Sequence, residues 1–265
     1  MIKRTIKIII ESTSLDPFFN LAYEEYFLDN LEENKMYFFL YSNMPSIIIG
    51  KHQNPWKECR VTECLNQNIK ILRRLTGGGT VYHDAGNLNF SFIAEKNLFN
   101  KEKQTKMILN TLKDLGLPVY SNKYNDILIE KKKISGSAFF YNKNAGIHHG
   151  TLLVNADINN ILYFLNPENL NIDKKSVPSR KSDVVNITNY LPDSSIDYIK
   201  EKLIGSFCKY YNIKKESIKI RDFDMPHEIH DIIKKYKSFD WIFGRTPGFS
   251  AESSGVKNNF IPFIE

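Results

Sequence analysis

Arg73-Arg74-Leu75-Thr76-Gly77-Gly78-Gly79-Thr80-Val81-Tyr82-His83-Asp84-Ala85-Gly86-Asn87-Leu88-Asn89 is the stretch on which the reading of this chain turns. Three consecutive glycines remove every Cβ from a turn, so backbone N–H groups can come close to a bound group. Two arginines precede them and a His-Asp pair follows. Apolar runs flank the loop, Ile69 to Leu72 upstream and Phe90, Phe92 and Ile93 downstream. The segment therefore reads as strand, glycine loop, strand, with cationic and polar groups at one mouth. Successive amides in such a loop form a concave nest suited to an anion. No Lys-Ser/Thr follows the glycines, which removes the P-loop, and no G-x-G-x-x-G spacing occurs, which removes the dinucleotide fingerprint. Taken alone, the loop also reads as a glycine-rich hairpin that only turns the chain.

The chain has 265 residues, 42% of them hydrophobic and 13% aromatic, enough to bury a sizeable core in one large domain, or in one domain with a small appendage. Lys, Asn and Ile are abundant after residue 95, which reads as genome bias rather than function. The net charge of +6 favours acidic partners. No arginine-rich run or basic helix accompanies it, so nucleic acid is not expected. Cys59, Cys64 and Cys208 form no C-x-x-C and read as reduced thiols of a cytoplasmic protein. Zinc is not expected, because His52 is the only His near the first two. Met1 to Ile10 is basic, then briefly apolar, and reads as a first strand rather than a leader. No apolar run is long enough to span a bilayer.

Asp16-Pro17 followed by Phe18, Leu21, Ala22, Glu25 and Tyr26 predicts a helix with an Asp cap and Pro at its first position. Met36 to Tyr41 and Ser46 to Ile49 predict strands about a turn at Asn43-Met44-Pro45. Helices are expected over Trp56 to Asn66, with Val61 and Leu65 on one face, and over Lys103 to Leu115. Asp126 to Ile129 and Lys133 to Phe140 resemble a hairpin across a charged turn, and Gly150 to Asn155 a further strand. Asp157 caps a helix from Ile158 to Leu165. Ser194-Ser195 opens another carrying Ile196, Ile199, Leu203, Ile204 and Phe207, and Ile229 to Tyr236 is a third. Trp241 to Gly244 and Phe260 to Phe263 read as short strands. The mixed order gives an α+β fold, with mixed β-sheets flanked by helices.

Four segments carry groups able to hold phosphate and carbonyl oxygens: the Arg-Arg-glycine-His-Asp loop, Asn125-Asp126, Lys133-Ile134-Ser135-Gly136-Ser137-Ala138, and His148-His149-Gly150-Thr151. Their order and content resemble the lipoate-protein ligase family, within the biotin/lipoyl ligase fold. Asn20 to Glu25 is similar to that family's early helix and Gly50 to Cys59 to its next loop, so the resemblance runs from about residue 16 to 190. It implies a catalytic core over 1–190, a helical part of the same domain over 191–240, and a remnant or the start of an accessory domain over 241–265.

The resemblance implies adenylation of lipoate by ATP with Mg2+, then transfer of the lipoyl group to a lysine of a carrier. The carrier is expected to be a lipoyl domain of a 2-oxoacid dehydrogenase E2 or the glycine-cleavage carrier protein. Lys133 is similar to the family's catalytic lysine, neutralising charge beside the acyl carbon and phosphate; as sequence alone it also reads as the end of the solvated turn Glu130 to Lys133. Arg74 resembles the arginine beside the acyl and phosphate groups, with Gly77, Gly78 and Gly79 passing close over the ligand. Asn125 and Asp126 match an Asn-Asp near the phosphates, Asp126 also as a magnesium ligand or simply a turn former. Ser135 and Gly136 belong to the lysine strand. His149, Thr151 and Tyr41 resemble residues lining the acyl pocket. His83, with Asp84, fits either ligand binding or bracing of the loop. Arg73 reads as structural or as half of a surface pair, His148 as a partner behind the site.

Two departures bear on activity. Ser176 to Arg180 partly matches a Ser-Val-Arg-Ser-Arg segment that closes over the adenylate, with Pro178 in place of its first arginine. Long ligases continue from a Trp-x-Phe-Gly segment like Trp241 to Gly244 into an accessory domain, so a separate accessory protein is one expectation. The alternatives are an octanoyl or lipoyl acyltransferase working through a cysteine thioester, and a module that binds lipoyl-AMP or a carrier without adenylating. The acyltransferase needs a low-pKa thiolate at the acyl site.

Overall fold

The computed structural model describes residues 5–167, 171–172, 177–220, 225–246, 249–253 and 256–260. The first half runs β1 (Ile6–Ser12), α1 (Pro17–Asp29), β2 (Lys35–Tyr41), β3 (Ser46–Ile49), α2 (Pro55–Glu58), α3 (Val61–Asn66), β4 (Lys70–Arg73), β5 (Val81–His83), β6 (Asn87–Glu95) and α4 (Lys101–Asp114). Next come β7 (Tyr120–Ser121), β8 (Ile127–Ile129), β9 (Lys132–Ser135), β10 (Ser137–Tyr141), β11 (Ala145–Leu153), α5 (Ile158–Phe164) and β12 (Asn171–Ile172). The chain finishes with α6 (Ile196–Tyr211), β13 (Ser217–Ile220), α7 (His227–Lys237), a π-helical turn (Asp240–Gly244), β14 (Phe249–Ser253) and β15 (Val256–Phe260).

A six-stranded mixed sheet ordered β10-β11-β6-β2-β1-β13 forms the backbone of the α+β fold. Strand β1 pairs parallel with β2 and β13, while β2, β6, β11 and β10 pair antiparallel. One face is covered by α4 and α6, where Phe38 of β2 stacks between Phe92 and Phe207 with ring centroids 4.7 Å apart on each side. The other face is covered by α1 and α7. Helix α1 is therefore buried nearly all round, as a helix sandwiched between layers must be. Its start is built as the sequence requires, with Asp16 accepting from the Phe18 N–H at 2.9 Å and Pro17 at the first position.

A small sheet ordered β4-β3-β5 packs with α2, α3, α5 and the π-helical turn around a second core. Strand β3 is parallel to β4 and antiparallel to β5, so the glycine loop crosses the end of β3 to reach its other side. Gly78 has a φ of 89°, in the left-handed region that suits glycine.

Four expectations are corrected by the structure. Trp241 to Gly244 is a π-helical turn, not a strand, because the buried Arg73 guanidinium gathers the carbonyls of Trp241 and Ile242 on one side. Trp56 to Asn66 is two short helices separated by extended Cys59, with φ of −150°. That break changes the phase, so Val61 and Cys64 turn inward while Leu65 is 54% exposed. Lys133 to Phe140 splits at Gly136 into β9, paired with β8 in a three-stranded sheet, and β10, the edge of the large sheet. His148 and His149 lie within β11 rather than ahead of it. Ile261 to Phe263 and Ser176 lie outside the described residues. No described helix is long and apolar enough to cross a membrane.

Candidate functional site

Two cavities meet at the glycine loop. The inner one, about 130 Å³, lies between α1, β2, β5 and β11. Its deep wall is formed by Glu24, Tyr41, His83, Asn89 and His149, each at most 9% exposed. Glu24 is a carboxylate inside a buried helix, so it must be compensated. It accepts from Tyr41 Oη at 3.0 Å and from Ser91 Oγ, and His149 Nδ1 lies 2.9 Å from its second oxygen. Burial alone would push the Glu24 carboxyl up, but the His149 ring and these donors together hold it below its ordinary range. In turn, burial and the neighbouring Glu24 charge push the Tyr41 phenol well up, keeping it a proton donor.

The network continues to the glycine loop. Ionised Glu24 can only accept, so His149 donates to it from Nδ1, while the other ring nitrogen, Nε2, lies 2.7 Å from Thr76 Oγ1. Thr76 Oγ1 in turn accepts from Arg74 Nε at 2.9 Å. Three more of the five Arg74 N–H groups go to backbone carbonyls: Ile48 at 2.9 Å and both Gly77 and Gly79 at 2.7 Å. Burial lowers its pKa to about 10, which leaves it charged at neutral pH. Arg74 thus shapes the loop from within. Neighbouring Arg73 is wholly buried and holds Gly50, Lys51, Gln53, Trp241 and Ile242 through their carbonyls, a structural role and not a surface pair.

The outer cavity, about 880 Å³, is wider and shares Thr80, Lys133, Gly136, Thr151, Ser179 and Arg180 with the inner one. Tyr82, Leu153, Ile161 and Leu165 give it an apolar wall, with Arg180 and Lys181 among its polar residues. Lys133 stands at the junction. Its Nζ pairs with Asp126 Oδ1 at 2.8 Å, and Arg180 Nη2 lies 4.0 Å from the other Asp126 oxygen. The lysine reaches this point because Gly136 has no Cβ: one placed there would sit 2.7 Å from both Lys133 Cε and Nζ. Segment 177–180 is fastened over the glycine loop. Ser179 Oγ accepts from Thr80 N–H at 2.8 Å and donates to Glu58, while Gln53 Nε2 donates to the Val177 carbonyl at 3.3 Å.

Of the residues expected at the site, Lys133, Arg74, Gly78, Gly79, His83, Asp126, Gly136, His149, Thr151 and Tyr41 line the inner cavity. Three do not. The Gly77 carbonyl is held by Arg74, Asn125 occupies a left-handed turn position (φ 61°) with its N–H on Asn122, and Ser135 lines the outer cavity only. Asp84 accepts from the Gly86 and Asp157 N–H groups at 2.9 and 2.8 Å and braces two turns. His148 lines neither cavity: it sits among Phe90, Phe92 and Phe139, contacts Gln104, and its Nε2 lies 3.2 Å from the hydroxyl of Ser137, which lines the inner one. Sequence reading missed Glu24 and the Glu58–Gln53 fastening. The signal for Glu24 was there: Asn20, Glu24 and Glu25 interrupt an otherwise apolar helix.

With this geometry in view, the relatives can be placed. The model of the lipoyl protein ligase A/B catalytic domain matches residues 16–208. The chain belongs to the lipoate-protein ligase family. It is 36% identical over 248 residues to the lipoate-protein ligase A of Blochmanniella floridana, covering 91% of this chain and 74% of that protein. Among solved structures it resembles P. falciparum LipL1 in complex with lipoate (TM-score 0.79, 28% identity, 93% of this chain and 80% of that one). It also resembles the bi-partite lipoate protein ligase of Thermoplasma acidophilum, studied with its E2 lipoyl domain (0.75, 25%, 92% and 98%). A lipoate-protein ligase A bound with ATP is similar too (0.73, 25%, 91% and 99%). For a ligase of this family, the narrow inner cavity suits an acyl chain and the wide cleft a nucleotide. Asp126 is a single carboxylate, and no cluster of three metal-ligating side chains occurs among the described residues. That donor set suits Mg2+ arriving with phosphate and water oxygens rather than an all-protein cage.

Proposed function

We propose that this chain is an ATP-dependent lipoate-protein ligase, carried by one observation: Lys133 lines both a small cavity of a size for an acyl chain and the wider cleft beside it, of a size for a nucleotide. An acyl chain in the inner cavity brings its carboxylate to Lys133 Nζ. That carboxylate displaces pyrophosphate from the α-phosphorus of ATP, giving acyl-AMP. The amine of a carrier lysine then attacks the acyl carbon, forming the amide as the bond to AMP breaks. In the first step negative charge passes from the carboxylate to the α-phosphate oxygens and the departing pyrophosphate, and in the second it grows on the carbonyl oxygen and on the phosphate of the departing AMP. A lysine held by Asp126 neutralises it without reorganising at the moment of reaction. Magnesium, when bound, screens the phosphates, and Asp126 is the residue placed to meet it. The fastened 177–180 segment borders the junction through Ser179 and Arg180. Carrier domains of the E2 or glycine-cleavage type fit the basic balance of the chain.

Residues 1–190 form the catalytic core in this reading. The 191–240 part belongs to the same domain, a view supported by Ile199, Leu203 and Phe207 of α6 in the main core. A cysteine-thioester route finds no support, since Cys59, Cys64 and Cys208 are buried and none lines either cavity. The likeness to a bi-partite ligase favours a second reading, in which transfer is intrinsic and adenylation needs a partner. Two assays on an apo lipoyl domain separate them: lipoate plus Mg-ATP, and prepared lipoyl-AMP without ATP. Modification in both is expected. Modification from lipoyl-AMP alone establishes the second reading, and none in either contradicts both.

A further inference from the structure

The deep wall of the inner cavity contains a hydrogen-bond donor that nothing in the protein uses. His83 lines the cavity at 4% exposure, and its Nδ1 lies 2.9 Å from Asn43 Nδ2. The direction of that bond is fixed by backbone. Asn20 Nδ2 faces the Ser14 and Ser42 carbonyls at 3.0 and 3.1 Å, groups that only accept, so this end of Asn20 is its NH2. The same NH2 lies 2.8 Å from Asn43 Oδ1, which orients the Asn43 amide and turns its NH2 toward His83. His83 Nδ1 therefore accepts, and the ring, kept neutral by burial with a pKa of about 3, carries its proton on Nε2.

That Nε2 lies on the ring edge away from Asn43, and Asn43 is not part of the cavity lining. Among the described residues lining the inner cavity, it is the only buried side-chain nitrogen or oxygen without a partner. The other deep charged groups have partners within the protein: Glu24 has Tyr41, Ser91 and His149, and Arg74 has Thr76 and three carbonyls. An occupant that reaches this wall with an alkyl end leaves the donor unmade. One carrying an acceptor there completes the set.

Resting on the ligase reading above, we propose that His83 sets acyl-chain specificity by donating from Nε2–H to an acceptor near the far end of the chain. The end selected is a soft disulfide sulfur, as in the dithiolane ring of lipoate, over the plain alkyl end of octanoate. Sulfur is a weak acceptor, yet an alkyl end leaves a buried donor unpaired, a difference of roughly tenfold in affinity.

Isothermal titration of the whole chain with lipoate and with octanoate, without ATP, tests this. Lipoate is expected to bind more tightly, and His83→Phe to cut the lipoate-to-octanoate affinity ratio roughly tenfold, with His83→Gln, which keeps a donor, retaining part of it. A general structural loss weakens both acids and does not move the ratio. Nitrogen-15 NMR of the unaltered protein gives a second readout should the variants not fold. It should show His83 protonated on Nε2, with a signal that moves with lipoate but not with octanoate. An unchanged ratio in His83→Phe, or equal NMR responses to the two acids, overturns the inference alone. Failure of both acids to bind overturns the ligase reading, and the inference with it.

Discussion

At the residue scale, the site depends on groups whose protonation is set by burial. His83 and His148 are both pushed down to about 3, chiefly by burial, against an ordinary value of 6.5. Between those values the unfolded chain takes up protons that the folded one refuses, so stability is full above about 6.5 and declines as pH falls toward 3. Each ring removes roughly 1.4 kcal/mol per pH unit within that window. Urea midpoints at several pH values are expected to fall accordingly, and His148→Phe to make the slope shallower. A midpoint independent of pH from 7 down to 5 contradicts this (about one and a half units lie inside the window). Gly136 makes the opposite kind of demand. Its missing Cβ leaves room for the end of a flexible lysine, so Gly136→Ala displaces Lys133 while sparing the core. Transfer to an apo lipoyl domain should fall on the order of a hundredfold, with the thermal midpoint little changed. Parent-like transfer would show that Lys133 does not need this position.

At the element scale, local chemistry was legible wherever caps and periodicity spoke together. Asp16-Pro17 opened α1, Asp157 caps α5 by accepting from the Asn160 N–H, and Ser195 caps α6 by accepting from the Tyr198 N–H. Asp16→Ala is expected to cost about 1 kcal/mol, read as a lower denaturation midpoint, with activity per folded molecule retained. A specific loss of turnover would mean that the cap also positions Glu24. Elements failed to read where a distant side chain decided them. The strand expected at Trp241 to Gly244 is a π-helical turn because Arg73 binds its carbonyls and accepts the Trp241 indole N–H on its own carbonyl at 2.7 Å. No local pattern records a partner 168 residues away. The break between α2 and α3 and the change of sheet at Gly136 are likewise tertiary decisions. Gly136 turns there because its carbonyl accepts from the Thr151 N–H while its own N–H reaches the Thr151 hydroxyl.

At the scale of the whole molecule, the α+β class followed from segments quoted as sequence, and most of the residues those segments offered line one cavity. The glycine loop, Asp126, Lys133, His149 and Thr151 do converge, because the end of β9 and the β4–β5 crossover both meet the interior of β11, at Thr151 and His149. Three things were not legible: the division into a narrow cavity and a wide cleft, the Glu24–His149–Thr76–Arg74 chain, and the spare donor of His83. Each depends on the direction of side chains across elements far apart in sequence. The proposed chemistry rests on that division, since Lys133 is among the residues that line both cavities. The most direct test is the intact mass of an apo lipoyl domain after incubation with lipoyl-AMP and either the unaltered chain or Lys133→Ala. The account predicts the gain of one lipoyl group with the unaltered chain and almost none with the variant at equal times. Modification at comparable rates by both would contradict it.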